Sequence, residues 1–134
     1  TACAIHLSSG SEPGEMKVQI SEIHGCMYVE GDAREQFLRT EREAVELIGL
    51  CGEQDTHRLL LHATNLSEQF FDLKSGLAGA ILQKFVNYHM KVALIIPPDL
   101  LQGKFRDYVL EANRGRHFRS FLTRAEAERW LTSD

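Results

Sequence analysis

Cysteine is scarce in this chain. Cys3, Cys26 and Cys51 are odd in number, widely spaced and without a CxxC pattern, which argues against a zinc or dithiol redox site and for reduced thiols in a cytoplasmic protein. Long apolar runs are missing as well. Val92 to Ile96 falls far short of the ~20 residues a membrane-spanning helix needs, and Ala2 to Leu7 lacks the basic start and apolar length of a signal peptide. Thr1 is compatible with removal of an initiator Met. Positive charge is not in excess: 15 Lys and Arg stand against 19 Asp and Glu, a formal net charge of -4. That balance offers nucleic acid and anionic membranes no general attraction, although a local basic patch stays open. GxSxG, Walker and GxGxxG patterns are absent, as are RNP, zinc-finger and basic-zipper patterns. The six histidines lack metal-ligand spacing, and His57 and His62 fall on opposite faces of one strand. No internal repeat is evident. Catalysis is therefore the least favoured reading, and no cofactor or metal is expected.

What is present is ordinary for one globular domain. With 134 residues, 43% hydrophobic and 25% charged, the chain can bury one core. Residues 1–15, rich in Ser, Gly and Pro without periodicity, read as a flexible N-terminal arm, and 16–134 as a single domain. KVQISEI and CMYVE, separated by His24-Gly25, predict two strands in a tight hairpin. Gly31 to Arg39 is a polar connection. Thr40-Glu41-Arg42-Glu43 is a capping box, opening a helix with Ala44, Val45, Ile48 and Cys51 on its apolar stripe and Gly52 at its end. Arg58 to Ala63 suits a strand covered on both faces, and Met90 to Ile96 is the next, halted by Pro97-Pro98. Lys104 to Asn113 is a helix burying Phe105, Val109 and Ala112, with Gly115 to stop it. Phe118 to Leu122 is a final strand, and a second capping box at Thr123 to Glu126 starts a last helix burying Ala127, Trp130 and Leu131.

This alternation implies right-handed crossovers and an α/β fold: a mostly parallel or mixed five-stranded sheet with an edge hairpin and about four helices. Ligands of such folds usually meet the loops at the carboxyl ends of the strands, here Asp32 to Thr40, Thr64 to Lys74, Pro97 to Lys104 and the region of Thr123. The chain is organised around FFDLKSGLAGAILQKF, Phe70 to Phe85. As a helix from Leu73, it stacks Leu77, Ile81 and Phe85 with Leu82 and Val86 beside them. Asp72 is its expected N-cap. Two glycines inside a helix cost roughly 1 kcal/mol each. Gly76 and Gly79 therefore predict a close backbone approach to a strand, another chain or a ligand.

The runs FFDLKSGLAG, ILQKF and NY, with EANRGRH further on, resemble a small bacterial family known as domain of unknown function 4180, over Met16 to Leu131. That family usually carries an acidic residue after the second glycine of the helix, where this chain has Ala80. More distantly, the element order and the FxDxxSGL-like approach look like STAS domains, the sulfate-transporter and anti-sigma-factor-antagonist group. These are switch and interaction modules in which a serine just after the Asp is phosphorylated. Here Leu73 and Lys74 follow Asp72, and Ser75 aligns at best with the neighbour of that serine.

The resemblance and the missing catalytic motifs make a non-enzymatic regulatory or protein-interaction domain the leading expectation. Its partner would be an unidentified protein or a second copy of the chain. The interaction or switch candidates are Phe70, Phe71, Asp72, Lys74, Ser75, Gly76 and Gly79. The blander reading makes Ser75 a first-turn cap and one of the two aromatics a core residue. The alternative is a module binding a lipid or nucleotide-like anion. Lys104, Arg106, Arg114 and Arg116, with Arg119 nearby, are the anion-binding candidates, or else a solvated basic face near a helix C-terminus.

Overall fold

A computed structural model describes Ile5, His6 and residues 18–133. The strands are β1 (Ile5–His6), β2 (Val18–Ile23), β3 (Cys26–Gly31), β4 (Arg58–His62), β5 (Lys91–Ile95) and β6 (Phe118–Phe121). The helices are α1 (Glu41–Glu53), α2 (Leu77–Asn87), α3 (Gly103–Ala112) and α4 (Arg124–Leu131). The sheet runs β1 to β6 in sequence order, antiparallel as far as β3 and parallel from there on. The α/β class, the mixed sheet, the hairpin and the four helices follow the sequence reading. The two-residue β1 pairs Ile5 with Ile20 and His6 with Gln19 at the edge of the sheet. The rest of the expected arm lies outside the described residues.

Sequential order has a direct consequence. Three right-handed crossovers that all step in one direction put α1, α2 and α3 on the same face of the sheet. Only α4, which follows the last strand, is left for the other. Side chains alternate along each strand, so Val29, Leu59, Leu61, Val92 and Leu94 join Leu47, Ile81, Phe85, Phe105 and Val109 in the larger core. Tyr28, Leu60 and Ala93 point the other way, onto Ala127 and Leu131 of α4. The middle of β4, Leu59 to Leu61, is apolar because both of its faces are covered.

Three local expectations are corrected. The helix of the Phe70 to Phe85 stretch begins at Leu77, not Leu73. Asp72 does cap, accepting from Lys74 N–H at 3.1 Å, but what it caps is a 3-10 turn, Leu73–Ser75, that closes on Gly76 at φ 76°. A left-handed residue breaks the helical path, and glycine takes that conformation without a Cβ clash. The phase of α2 shifts accordingly: Ala78, Ile81, Leu82 and Phe85 are buried, while Val86 points outward. Gly79 makes no close approach, since a Cβ there would meet only the Tyr108 hydroxyl, at 3.9 Å. Finally, α1 continues through Gly52 and turns at Asp55, φ 57°.

Candidate functional site at the amino edge of the parallel strands

At the carboxyl edge, where such folds usually bind ligands, the polar groups largely satisfy one another beside two open hollows of about 340 and 430 Å³. Asn65 is fully buried; its amide donates to the carbonyls of Asp32 (2.7 Å) and Glu35 (2.8 Å), and its Oδ1 accepts from His62 N–H (2.9 Å). These bonds tie the β3–α1 loop to the end of β4. Gly31 sits beneath the amide, where a Cβ would lie 2.5 Å from Asn65 Oδ1 and 2.7 Å from Phe37 Cζ. On the α4 face, Glu30 is 3% exposed and receives both terminal nitrogens of Arg124 as well as His62 Nε2 at 2.8 Å. Burial pushes the Glu30 carboxyl up, but the hydrogen bonds from His62 and Arg124 outweigh it and hold the group at about 2. As an anion Glu30 can only accept, so His62 Nε2 carries the hydrogen. Arg124 Nε reaches Glu128 (3.0 Å), which also accepts from Tyr28 (2.7 Å). Burial first, then Glu128, pushes the Tyr28 phenol up to about 12. This network clamps the first turn of α4 to β3.

The amino edge is built differently. Parallel strands in register begin at one edge, so the residues just before or at the start of each become neighbours. Arg58 pairs with Lys91 and Val92 with Phe118, which brings His57, Lys91 and His117 together. His57, His89, Met90, Lys91, Arg116, His117, Arg119, Trp130 and Ser133 surround an open cleft of about 520 Å³, with no Asp or Glu in its described wall. α4 runs back across the sheet and closes one side. Lys91 Nζ donates to the Ser133 carbonyl at 2.7 Å and lies 4.8 Å from the Trp130 ring centre, over which Arg119 also stacks at 5.4 Å. His117 Nδ1 lies 2.9 Å from the Met90 carbonyl, and the His89 and His117 rings are 6.2 Å apart. Burial, then Arg58 and Lys91, lowers the His57 imidazole.

A family model, described as domain of unknown function DUF4180, matches residues 23–131. The chain belongs to that family. No curated protein matches it, and no solved structure does. The span matched by the DUF4180 family contains the whole Glu30 clamp and, of the cleft residues, all but Ser133. Among the described residues no helix is long and apolar enough to cross a membrane, and no group of three or more His, Cys, Asp or Glu is placed to hold a metal.

The residues singled out from the sequence are scattered over this DUF4180 fold. Phe70 is buried, edge-on to Phe71 at 5.6 Å and to Phe105 at 6.1 Å; Phe71 is half-buried. Asp72, Lys74, Ser75, Gly76 and Gly79 are exposed. Ser75 shares its one hydroxyl hydrogen between the carbonyls of Gln69 and Asp72 and accepts from Leu77 N–H at 3.2 Å, so its hydroxyl staples the turn into α2. Lys104 and Arg106 project from α3, and Arg114 faces Glu111 at 3.8 Å. Of the four anion-binding candidates only Arg116 lines the cleft, joined by Arg119. Cys51 is a core residue whose thiol burial pushes up to about 12. Sequence reasoning missed His57, His89, Lys91 and His117 as a group because it weighed the histidines only for metal-ligand spacing along the chain. The available signal was their common position just before or at the start of three successive parallel strands.

Proposed function

We propose that this is a binding domain rather than a catalyst, and that its ligand is a small anion held in the amino-edge cleft. The observation that carries this reading is that Arg116 and Arg119 reach the cleft without a carboxylate partner among the described residues, in a chain of net charge -4. Crossover helices run antiparallel to the strands, so the negative ends of α1, α2 and α3 point at this edge and favour cations there. That preference accounts for His57, His89 and Arg114, which follow helix ends, but not for Arg119 within β6. At the opposite edge the charges are mutually satisfied, and Glu30, held at about 2, is a poor proton acceptor near neutrality. Titration calorimetry at low ionic strength with phosphate, sulfate and pyrophosphate tests the proposal. Wild type should bind at least one of these anions, and the Arg116→Ala/Arg119→Ala variant should lose about tenfold in affinity or more. Equal binding by the variant rejects it, as does silence toward all three anions and toward organic phosphate and sulfate monoesters.

A second reading assigns the Phe70 to Gly79 segment to a protein contact, in the manner of a bacterial cytoplasmic STAS-like module. The strand and helix alternation supports it. So does a shallow hollow lined by Phe71, Asp72, Leu73, Lys74, Gln102, Lys104 and Phe105 beside the exposed turn. Sedimentation at rising concentration checks the self-association form of this reading. A dimer that Phe71→Ser disrupts supports it, and a wild-type monomer throughout removes it.

A further inference from the structure

We infer that the cleft takes an organic phosphomonoester, and that its binding draws a proton onto His117. This rests on the anion-binding reading and names the ligand class. The first observation is the hydrogen bond of His117. Its Nδ1 faces the Met90 carbonyl at 2.9 Å, and a carbonyl can only accept, so Nδ1 carries the hydrogen. In the neutral ring the remaining nitrogen, Nε2, is then a lone pair, which repels an anion. A second proton turns Nε2 into a charged donor, so anion and proton favour each other.

Among the described residues the charged and titratable groups around His117 are all basic. His89 follows α2, Lys91 begins β5, Arg116 immediately precedes His117 ahead of β6, Arg119 stands within β6, His57 precedes β4, and Trp130 and Ser133 come from the end of α4. No carboxylate is among these lining residues. An anion held among these cations offers a second N–H of the ring an acceptor.

Size and charge select the class. A cleft of about 520 Å³ is much larger than a bare inorganic anion and falls in the range of organic ligand sites. The half-buried Trp130 offers apolar surface for an organic body. Arg116, Arg119 and a protonated His117 suit a dianion with three acceptor oxygens better than a carboxylate with one charge and two.

Calorimetry with phenyl phosphate and phenyl sulfate, between about pH 5.5 and 8 and in buffers of different ionisation heat, tests the inference. Phenyl phosphate should bind about tenfold tighter than phenyl sulfate near pH 7. It should take up a fraction of a proton near pH 7.5. Its affinity should fall both above and below about pH 6.5, because the ligand's second proton is lost near pH 6 while imidazoles discharge at higher pH. His117→Gln should keep weaker binding through the arginines but lose the proton uptake. Equal affinity for the two ligands, no proton uptake by wild type, or unchanged uptake in His117→Gln overturns the inference while leaving an anion site in place. Failure of both ligands and of inorganic anions removes the anion-binding reading itself.

Discussion

Replacing Asn65 with alanine should destabilise the protein by about 3 kcal/mol, read as a lower urea midpoint with an unchanged slope. The buried amide serves two loop carbonyls, those of Asp32 and Glu35, and one strand amide, that of His62. Alanine takes one partner from each of the three in a fully enclosed place, although the Asp32 carbonyl keeps the Glu35 N–H at 3.0 Å. Asn65→Asp is no remedy, because it turns two donors into an acceptor and buries a charge. Gly31→Ala should fail for a related reason, since its new methyl would occupy the space of Asn65 Oδ1 and Phe37 Cζ. The two substitutions share atoms, so their costs should not add. A loss below about 1 kcal/mol for Asn65→Ala would mean that the β3–α1 loop is held by something else.

Arg124→Ala should cost about 2–3 kcal/mol, because it leaves the Glu30 carboxylate buried with only His62 to compensate it. The lower end of the range for broken buried pairs applies, as the arginine side chain is 47% exposed and partly screened. Lysine should restore only part of the loss, since it cannot offer two parallel N–H groups. Acid unfolding provides a second readout. The Glu30 carboxyl is depressed in the folded protein, from an ordinary 4.5 to about 2. Its contribution is therefore complete above pH 4.5 and disappears as pH falls toward 2. After discounting for solvent on the arginine side, the linkage is worth about 2 kcal/mol. Removing Arg124 raises the folded value, so the acid transition of the variant should begin at a higher pH. A transition identical to that of wild type would show that the clamp does not couple α4 to the sheet.

Legibility followed the range of the interactions involved. The Thr40 and Thr123 caps accept from Glu43 and Glu126 N–H, three residues on in each case, and both were visible as capping boxes. The hairpin turn was visible at His24-Gly25, where both residues have positive φ in the structure. The start of α2 was misread because apolar spacing extends back to Leu73 without revealing that Gly76 turns left-handed. The glycines looked like one small-residue face; in fact Gly76 serves a turn, and Gly79 is exposed with room for a Cβ at an ordinary distance from the Tyr108 hydroxyl. Glu30 carried a weak signal, a charge next to Val29 inside an apolar strand, but its partner Arg124 is 94 residues away.

Class, element order and capping were therefore written in local pattern, because they depend on residues within a turn or two of each other. The two charged assemblies were not. Which face α4 covers, and hence that Arg124 meets Glu30 while Trp130 and Ser133 close the other edge, follows from strand order, which no periodicity encodes. The cleft depends on three strand starts drawn into register from positions 57, 91 and 117, so hydrogen-bonded pairing across the sheet, not spacing along the chain, gathers its cations.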